Sequence, residues 1–397
     1  MKLSKKISLI SPSPTLAITA KANKMKAEGV DVIGFGAGEP DFDTPANIKE
    51  AAKLALDQGF TKYTPTSGIK ELKEAIRKKF IEDNQLEYSL DQILVSCGAK
   101  HSIFNIILAL CEAGDEVIIP SPYWVSYPEM LKIAGAAPVS IETTQEANFK
   151  ITPRQLKEAV TAKTKLVILN SPSNPTGMIY EKDELIALSK IIAEADIYCI
   201  SDEIYEKIIY DNCKHVSIAS LGEEIKNLTI VVNGLSKTYA MTGWRIGYAA
   251  GPKDVIQAMS NLQDHSTSNP TSIAQYAAVE ALNGPQEILK KMVDSFRERR
   301  NFIVDKINSI KGLSCLKPQG AFYLFVDISR LLGKKFQDKV VGGSLPFTEL
   351  LLENGKVAVV PGGVFGNDNF IRLSYAASLT NIKKGLERLE KFVEQLV

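Results

Sequence analysis

Polar residues of chemically useful types stand just after several apolar runs. Gly98-Ala99-Lys100 follows Ile93-Leu94-Val95-Ser96, and Asn174 lies in the Ser173-Asn174-Pro175-Thr176-Gly177 loop after Leu166-Val167-Ile168-Leu169. Asp202, with Tyr205 three residues on, follows Ile197 to Ile200, and Ser236-Lys237 follows Leu228 to Val232. Singly, each has an ordinary explanation: an aspartate caps a helix, an Asn-Pro pair turns, a lysine is a solvated charge. Their recurrence at consecutive strand ends asks for more. A lysine in a confined site becomes a Schiff-base nucleophile once burial frees its amine. A buried carboxylate can keep a pyridinium nitrogen protonated by charge pairing. A tyrosine and an asparagine can donate to a phenolate oxygen. A glycine turn at a helix N-terminus, with a serine and an arginine nearby, can cradle a phosphate dianion.

Those requirements coincide in pyridoxal 5′-phosphate (PLP). Other cofactors are poorly served. There is no GxGxxG followed by an acidic residue some 20 positions on, and no Walker GxxxxGK[ST]. His101, His215 and His265 are scattered without partner spacing, which argues against a metal site.

The elements that must position these residues alternate between strand-like and helix-like patterns, which predicts βαβ units and a largely parallel sheet. Short buried strands are expected at Ile93–Ser96, Glu116–Pro120, Leu166–Leu169, Ile197–Ile200 and Leu228–Val232. A helix is expected from Gly98 to Cys111 and another from Glu184 to Ala195. In open sheets of this kind, ligands bind beyond the carboxyl ends of the strands. Near residue 286 the pattern changes. Leu289, Met292, Val293, Phe296, Ile303, Ile307 and Ile310 recur at three- and four-residue steps, predicting one long amphipathic helix. Shorter elements follow at 322–326, 347–353, 357–360 and 370–374, with a closing helix from Asn381. The expected organisation is a large α/β domain over 46–285 and a smaller α+β domain made of 1–45 and 286–397.

Composition bounds the alternatives. The chain has 397 residues, 45% hydrophobic and 23% charged, which excludes disorder and a membrane bundle. Its net charge of +1 gives no field toward nucleic acid or anionic lipid, so neither partner is expected. Five scattered cysteines without a CxxC predict reduced, mostly buried thiols rather than a disulfide framework. The basic N-terminus lacks a signal-like apolar stretch, and no apolar run reaches membrane-spanning length; a cytoplasmic protein is expected.

Five blocks, in order, carry a resemblance. Gly36-Ala37-Gly38-Glu39-Pro40-Asp41-Phe42 comes first, then Ser171 to Gly177, then Ser201-Asp202-Glu203-Ile204-Tyr205. Asn233-Gly234-Leu235-Ser236-Lys237 with Thr242-Gly243-Trp244-Arg245-Ile246-Gly247-Tyr248 follows, and Phe370-Ile371-Arg372-Leu373-Ser374-Tyr375-Ala376 closes the set. Together they resemble the class I PLP-dependent aminotransferases, nearest to the bacterial aspartate aminotransferase subgroup. The resemblance implies the type I fold of PLP-dependent transferases, with a mainly parallel seven-stranded sheet in the large domain. It implies ping-pong transfer of an amino group between aspartate and 2-oxoglutarate. An aromatic or prephenate preference, or C–S bond cleavage on the same scaffold, stays open.

By that resemblance Lys237 is the Schiff-base and proton-transfer lysine. Asp202 pairs with the ring nitrogen, while Tyr205 and Asn174 bond the ring oxygen. Ser236, Arg245 and the backbone around Gly98 and Ala99 hold the phosphate, and Trp124 stacks on the ring. Tyr63 reaches the phosphate of a partner subunit, implying a homodimer. Arg372 takes the substrate α-carboxylate, Lys100 the distal carboxylate, and Gly38 brings a backbone N–H. Ser13 and Thr15 line the mouth. Trp244 is expected in the core, entering a buried strand. Ala99 departs from the usual Gly-Gly turn and is expected to stiffen it, and His101 is expected to pack as a first-turn helix residue.

Overall fold

The computed structural model describes residue 4, residues 7–10 and residues 14–397. Ser13 and the Thr15 side chain lie outside the described residues. The first strand, β1 (Ile33–Gly34), is two residues long and follows the helix Pro14–Ala27. Seven strands then build the main sheet: β2 (Ile93–Ser96), β3 (Glu116–Ser121), β4 (Ala137–Glu142), β5 (Thr164–Asn170), β6 (Tyr198–Asp202), β7 (Thr229–Gly234) and β8 (Gly247–Ala250). Their spatial order is β2-β8-β7-β6-β5-β3-β4. Only β8 runs against its neighbours. The expected mainly parallel seven-stranded sheet is therefore present.

Both faces of this sheet are covered, which is why its strands read as unbroken apolar runs. Successive side chains still alternate. Val95 and Val231 pack on one face with Ile48, Leu72, Ile76 and Ala277, from the helices Ala46–Asp57, Lys70–Asn84 and Ser272–Asn283. Leu94 and Val232 turn to the other face, against Ile103, Ile106 and Met259 of the helices Ala99–Leu110 and Lys253–Asp264. Each fully buried aliphatic side chain contributes about 1.5–3 kcal/mol.

The later chain builds a second sheet. It contains β9 (Ser314–Cys315) and β10 (Tyr323–Asp327). A small hairpin of β11 (Lys335–Phe336) and β12 (Lys339–Val340) follows, then β13 (Val357–Ala358), β14 (Val360–Pro361) and β15 (Phe370–Ser374). The sheet order is β14-β15-β10-β9, while β13 pairs in parallel with β1 and so ties the early arm to this region. The long helix forms at Glu287–Ser309 and buries Met292, Phe296, Ile303 and Ile307, as its spacing predicts. Arg300 is buried on the same face. It is satisfied by both Asp211 oxygens at 3.0 and 3.1 Å, by the Pro318 carbonyl, and by the Tyr210 ring.

The element expected at 347–353 is a helix at Ser344–Leu350 continued by a π turn to Gly355. Two local expectations change. The single element expected at 357–360 is split between β13 and β14, which join different sheets. Trp244 ends a 3₁₀ turn, Thr242–Trp244, rather than entering a strand. It is half-buried because its indole N–H donates to Thr44 Oγ1 at 3.0 Å. A polar tether competes there with full burial. No helix among the described residues is long and apolar enough to cross a membrane.

Candidate active site

The carboxyl ends of β2, β5, β6 and β7 deliver side chains into a cavity of about 670 Å³. Of the described residues to which the resemblance gives a cofactor or substrate role, all but Gly98 and Tyr63 line it. Asp202 is the last residue of β6, Asn174 lies in the loop after β5, and Ser236-Lys237 follow β7. Ala99 and Lys100 begin the helix after β2, and Trp124 lies two residues before the helix Ser126–Ala134. The second sheet contributes Arg372 from β15 and Tyr323 from β10, and the early arm contributes Gly38. Four basic side chains (Lys100, Lys237, Arg245, Arg372) face two acidic ones (Asp202, Glu129), so the cavity favours anions.

Gly98 lies just behind the wall, where its φ of 90° caps the helix. A Cβ there would overlap the Arg245 guanidinium, and one at Gly247 would overlap the Ala99 amide. Glycine at both positions lets the helix end and the arginine close into one cup. Arg245 itself sits in the left-handed region, and its Nη1 and Nη2 donate to the carbonyls of Thr242 and Cys97 at 2.9 and 3.2 Å. The left-handed residue of this turn is Gly98, while Ala99 is already helical, so the alanine causes no strain. His101 reaches back, and its Nδ1 accepts the Cys97 N–H at 3.2 Å.

Asp202 is buried at the floor. Burial pushes its carboxyl up to about 6, although the Tyr127 hydroxyl donates to Oδ2 at 2.6 Å and partly offsets this. Burial pushes the Lys237 amine down to about 8, with Arg372 and Arg245 acting in the same sense and Glu39 opposing. Lys237 Nζ donates to the Gly38 carbonyl. Arg372 is buried, donating from Nη1 to Asn174 Oδ1 and from Nη2 to the Gly36 carbonyl, both at 3.0 Å. With its oxygen occupied, Asn174 offers a ligand its N–H. The Asn174 loop is fixed in turn by Asn170, which accepts the Asn174 amide at 2.8 Å and donates to the Asp202 carbonyl at 2.9 Å.

Two tyrosines, Tyr323 on the wall and Tyr127 behind Asp202, escape a reading of motifs. Tyr127 holds Asp202 and meets Trp124 edge to face at 5.3 Å. Its three-residue spacing from Trp124 at a helix start was the available signal. Tyr323 has no such signal. Lys100, at the mouth, lies 4.9 Å from the Trp124 ring centroid. Tyr63 is far more open, at 90% exposure.

Behind the Asp202–Tyr205 turn lies a buried ionic cluster that spacing alone did not reveal. Glu203 accepts from Ser201 and Ser217 at 2.8 and 2.6 Å and pairs with His215 Nε2 at 2.9 Å. Glu206 pairs with Lys79 and accepts from Asn84 at 3.0 Å. The two carboxylates and the imidazole lie within 4.8 Å of one another, a grouping able to hold a metal ion, but the Lys79 ammonium already supplies a cation there. Burial alone would lower His215, yet Glu203 and Glu206 outweigh it and hold it above its ordinary value. Its stabilisation is complete below about pH 6.5 and fades as pH rises through the folded value. Burial raises Glu206, but Lys79 outweighs it and holds the carboxyl low, so that stabilisation is lost only as pH falls through the depressed value. Lys79→Met is expected to cost about 3–5 kcal/mol near neutral pH, because it strands a buried carboxylate. Urea unfolding of both proteins checks it, and a difference below about 1 kcal/mol would contradict it.

The family model for aminotransferase class I and II matches residues 30–389. An aspartate aminotransferase of Bacillus subtilis (strain 168) is 52% identical over 398 residues, covering 100% of both chains. An aspartate/prephenate aminotransferase of Nitrosomonas europaea is 48% identical, covering 98% of this chain and 99% of its own. The crystal structure of the aspartate aminotransferase from Rhizobium meliloti superposes with a TM-score of 0.97 at 45% identity, covering 100% of both chains. With the matched family model spanning nearly the whole sequence, and with identities this high along full-length relatives, the chain belongs to the class I and II aminotransferases.

Proposed function

We propose that this chain is a PLP-dependent aspartate aminotransferase, passing the amino group of aspartate to 2-oxoglutarate in two half-reactions at one site. The observation that carries the proposal is the meeting of Lys237, Asp202 and Arg372 in one cavity, from three distant segments.

The residues fit the cofactor on three counts. Asp202 is a buried carboxylate held by a tyrosine rather than a full cationic partner, which suits a protonated ring nitrogen. Gly98 and Gly247 let Arg245 close against the start of the helix from Ala99, so the cavity there is lined by Arg245, Ser236 and Ala99 beside first-turn amides, a setting suited to a phosphate. Asn174 and Tyr205 stand on the wall with N–H and O–H donors. When bound, PLP supplies an aldehyde that captures amines and a ring that takes up negative charge as a Cα proton leaves.

The chain's own residues do the remainder. Lys237 Nζ takes and returns the Cα proton, a task suited to an amine with a pKa near 8. Asp202 keeps the ring nitrogen protonated. Tyr205 and Asn174 donate to the ring oxygen. Ser236, Arg245 and the amides around Gly98 and Ala99 hold the phosphate. Trp124 covers one ring face, with Tyr127 bracing it. Arg372 binds the α-carboxylate with its planar fork and so orients Cα. Gly38 adds a backbone N–H at the substrate.

Lys100 receives the distal carboxylate. Lys100→Ala is expected to raise KM for aspartate about 10–100-fold, since a charge-assisted bond is lost, and to change an aromatic donor far less. Equal effects on both in a steady-state panel would remove Lys100 from this role. A second substrate class, aromatic or prephenate-like, is favoured by the apolar wall of Ile10, Ile103 and Val364 and by the name of the Nitrosomonas relative.

We further assign a large domain to 46–285 and a small one to 1–45 with 286–397, supported by the β1–β13 pairing. The working unit is a homodimer in which exposed Tyr63 reaches the partner's phosphate cup. The compartment is cytoplasmic, in keeping with five free cysteines. Adding aspartate alone to the loaded protein tests the function. One oxaloacetate per site with a matching absorbance change is expected, and no change would overturn the proposal.

A further inference from the structure

We infer that Tyr323 is a positioning residue with two separable tasks: its hydroxyl strengthens the hydrogen bond Tyr205 donates, and its ring face fixes the Arg372 guanidinium. This rests on the function proposed above and deepens it. Tyr323 opens β10 and is buried in the cavity wall. Its hydroxyl lies 2.8 Å from that of Tyr205, with the rings edge to face at 5.7 Å. The Arg372 guanidinium sits 4.4 Å from the Tyr323 ring centroid and 5.1 Å from that of Phe365. Sheet register explains the second contact. Arg372 lies opposite Phe325, and Tyr323, two residues before Phe325, shares its face.

The hydroxyl works through Tyr205. When the Tyr205 O–H is donated to a ligand oxygen, the Tyr205 oxygen, which is buried, still needs a donor. Tyr323 is within reach to supply it, and in such a chain each bond polarises the next. The proton affinity of the bound ring system is thereby lowered by a residue that need not touch the ring oxygen. The ring face works through Arg372. Two guanidinium nitrogens are tethered in the plane, while Nε is buried without a partner. Aromatic faces hold a planar cation in orientation where an aliphatic side chain would let it tilt.

The test loads wild type and variants with PLP and titrates their absorbance without substrate, then measures the dissociation constant for succinate, a non-reacting dicarboxylate. Tyr323→Phe is expected to raise the titration midpoint by about half a pH unit. It should add nothing on a Tyr205→Phe background. Its succinate affinity should stay within about threefold of wild type, because the ring is kept, whereas Tyr323→Leu should lose about tenfold. Asp202, Arg372 and Glu39, whose charges act on this tyrosine pair, are unchanged in the Tyr323 variants. Tyr375→Phe removes another buried hydroxyl, 3.2 Å from the Ala321 carbonyl, and should leave the midpoint in place. A Tyr323→Phe midpoint equal to wild type, or a full shift that persists without the Tyr205 hydroxyl, overturns the first task. Unaltered succinate affinity in Tyr323→Leu overturns the second, and the phenylalanine arm decides the first even where the leucine variant does not fold. Wild type that forms no chromophore with PLP overturns the functional proposal and this one with it. A wild-type chromophore that none of the Tyr323 variants alters removes only the positioning role.

Discussion

Lys237→Ala is expected to lower transamination about 10⁴-fold or more while the protein stays folded, because on the proposed assignment it removes both a covalent anchor and a general base. Lys237 projects into a cavity rather than into the packed core, and its amine makes one bond, to the Gly38 carbonyl. Truncation therefore enlarges the cavity without opening a hole between the sheet and its helices. The chemistry depends on an amine that is neutral near physiological pH. With a pKa near 8, about one amine in ten is neutral at pH 7, against about one in three thousand at the ordinary value. The rate of PLP uptake by the unloaded protein should then rise with pH around a midpoint near 8. A midpoint near 10.5, or a Lys237→Ala protein that turns over at the wild-type rate, would contradict this. Lys237→Arg keeps a side chain of similar length but a permanently charged one, and is expected to be as inactive as the alanine variant.

Arg372→Leu is expected to lower kcat/KM about 10²–10⁴-fold for every amino donor, the loss of two charge-assisted hydrogen bonds at about 1.5–3 kcal/mol each. The guanidinium is fixed before any ligand arrives, by Asn174, by the Gly36 carbonyl and by two aromatic rings. Its ordering cost is therefore met by folding rather than by binding. Arg372→Lys should recover little, since an ammonium cannot reproduce the planar fork. The contrast with Lys100 is the informative part. An α-carboxylate is common to all amino acids, so aspartate, glutamate and tyrosine should suffer alike. A loss confined to the dicarboxylates would instead assign Arg372 to the distal group.

Much of this was legible in the order of residues, for physical reasons. A strand buried on both faces must be a short unbroken apolar run, and Ile93–Val95, Val117–Ile119 and Leu166–Leu169 are such runs. A parallel sheet collects the residues after its strands at one edge, so Asn174, Asp202 and Lys237 could be picked out by position, before geometry. Tyr127 and Tyr323 were not legible, because their meaning lies in contacts. Tyr127 matters through a carboxylate 75 residues away, and Tyr323 through a tyrosine 118 residues away. Neither separation leaves a local pattern. The cluster of Lys79, Glu203, Glu206 and His215 was hidden likewise, since the fold alone brings the Lys70–Asn84 helix to the back of the Asp202 turn. Trp244 misled because burial and a polar tether compete for an indole, and Thr44 wins half of it.

The most direct measurement is borohydride reduction of the PLP-loaded protein, followed by peptide mapping by mass spectrometry. One reduced adduct per chain is expected, on the Lys237 side chain, and none in Lys237→Ala. No adduct at all, or one carried by another lysine such as Lys100, would contradict the placement of the reacting amine at the end of β7.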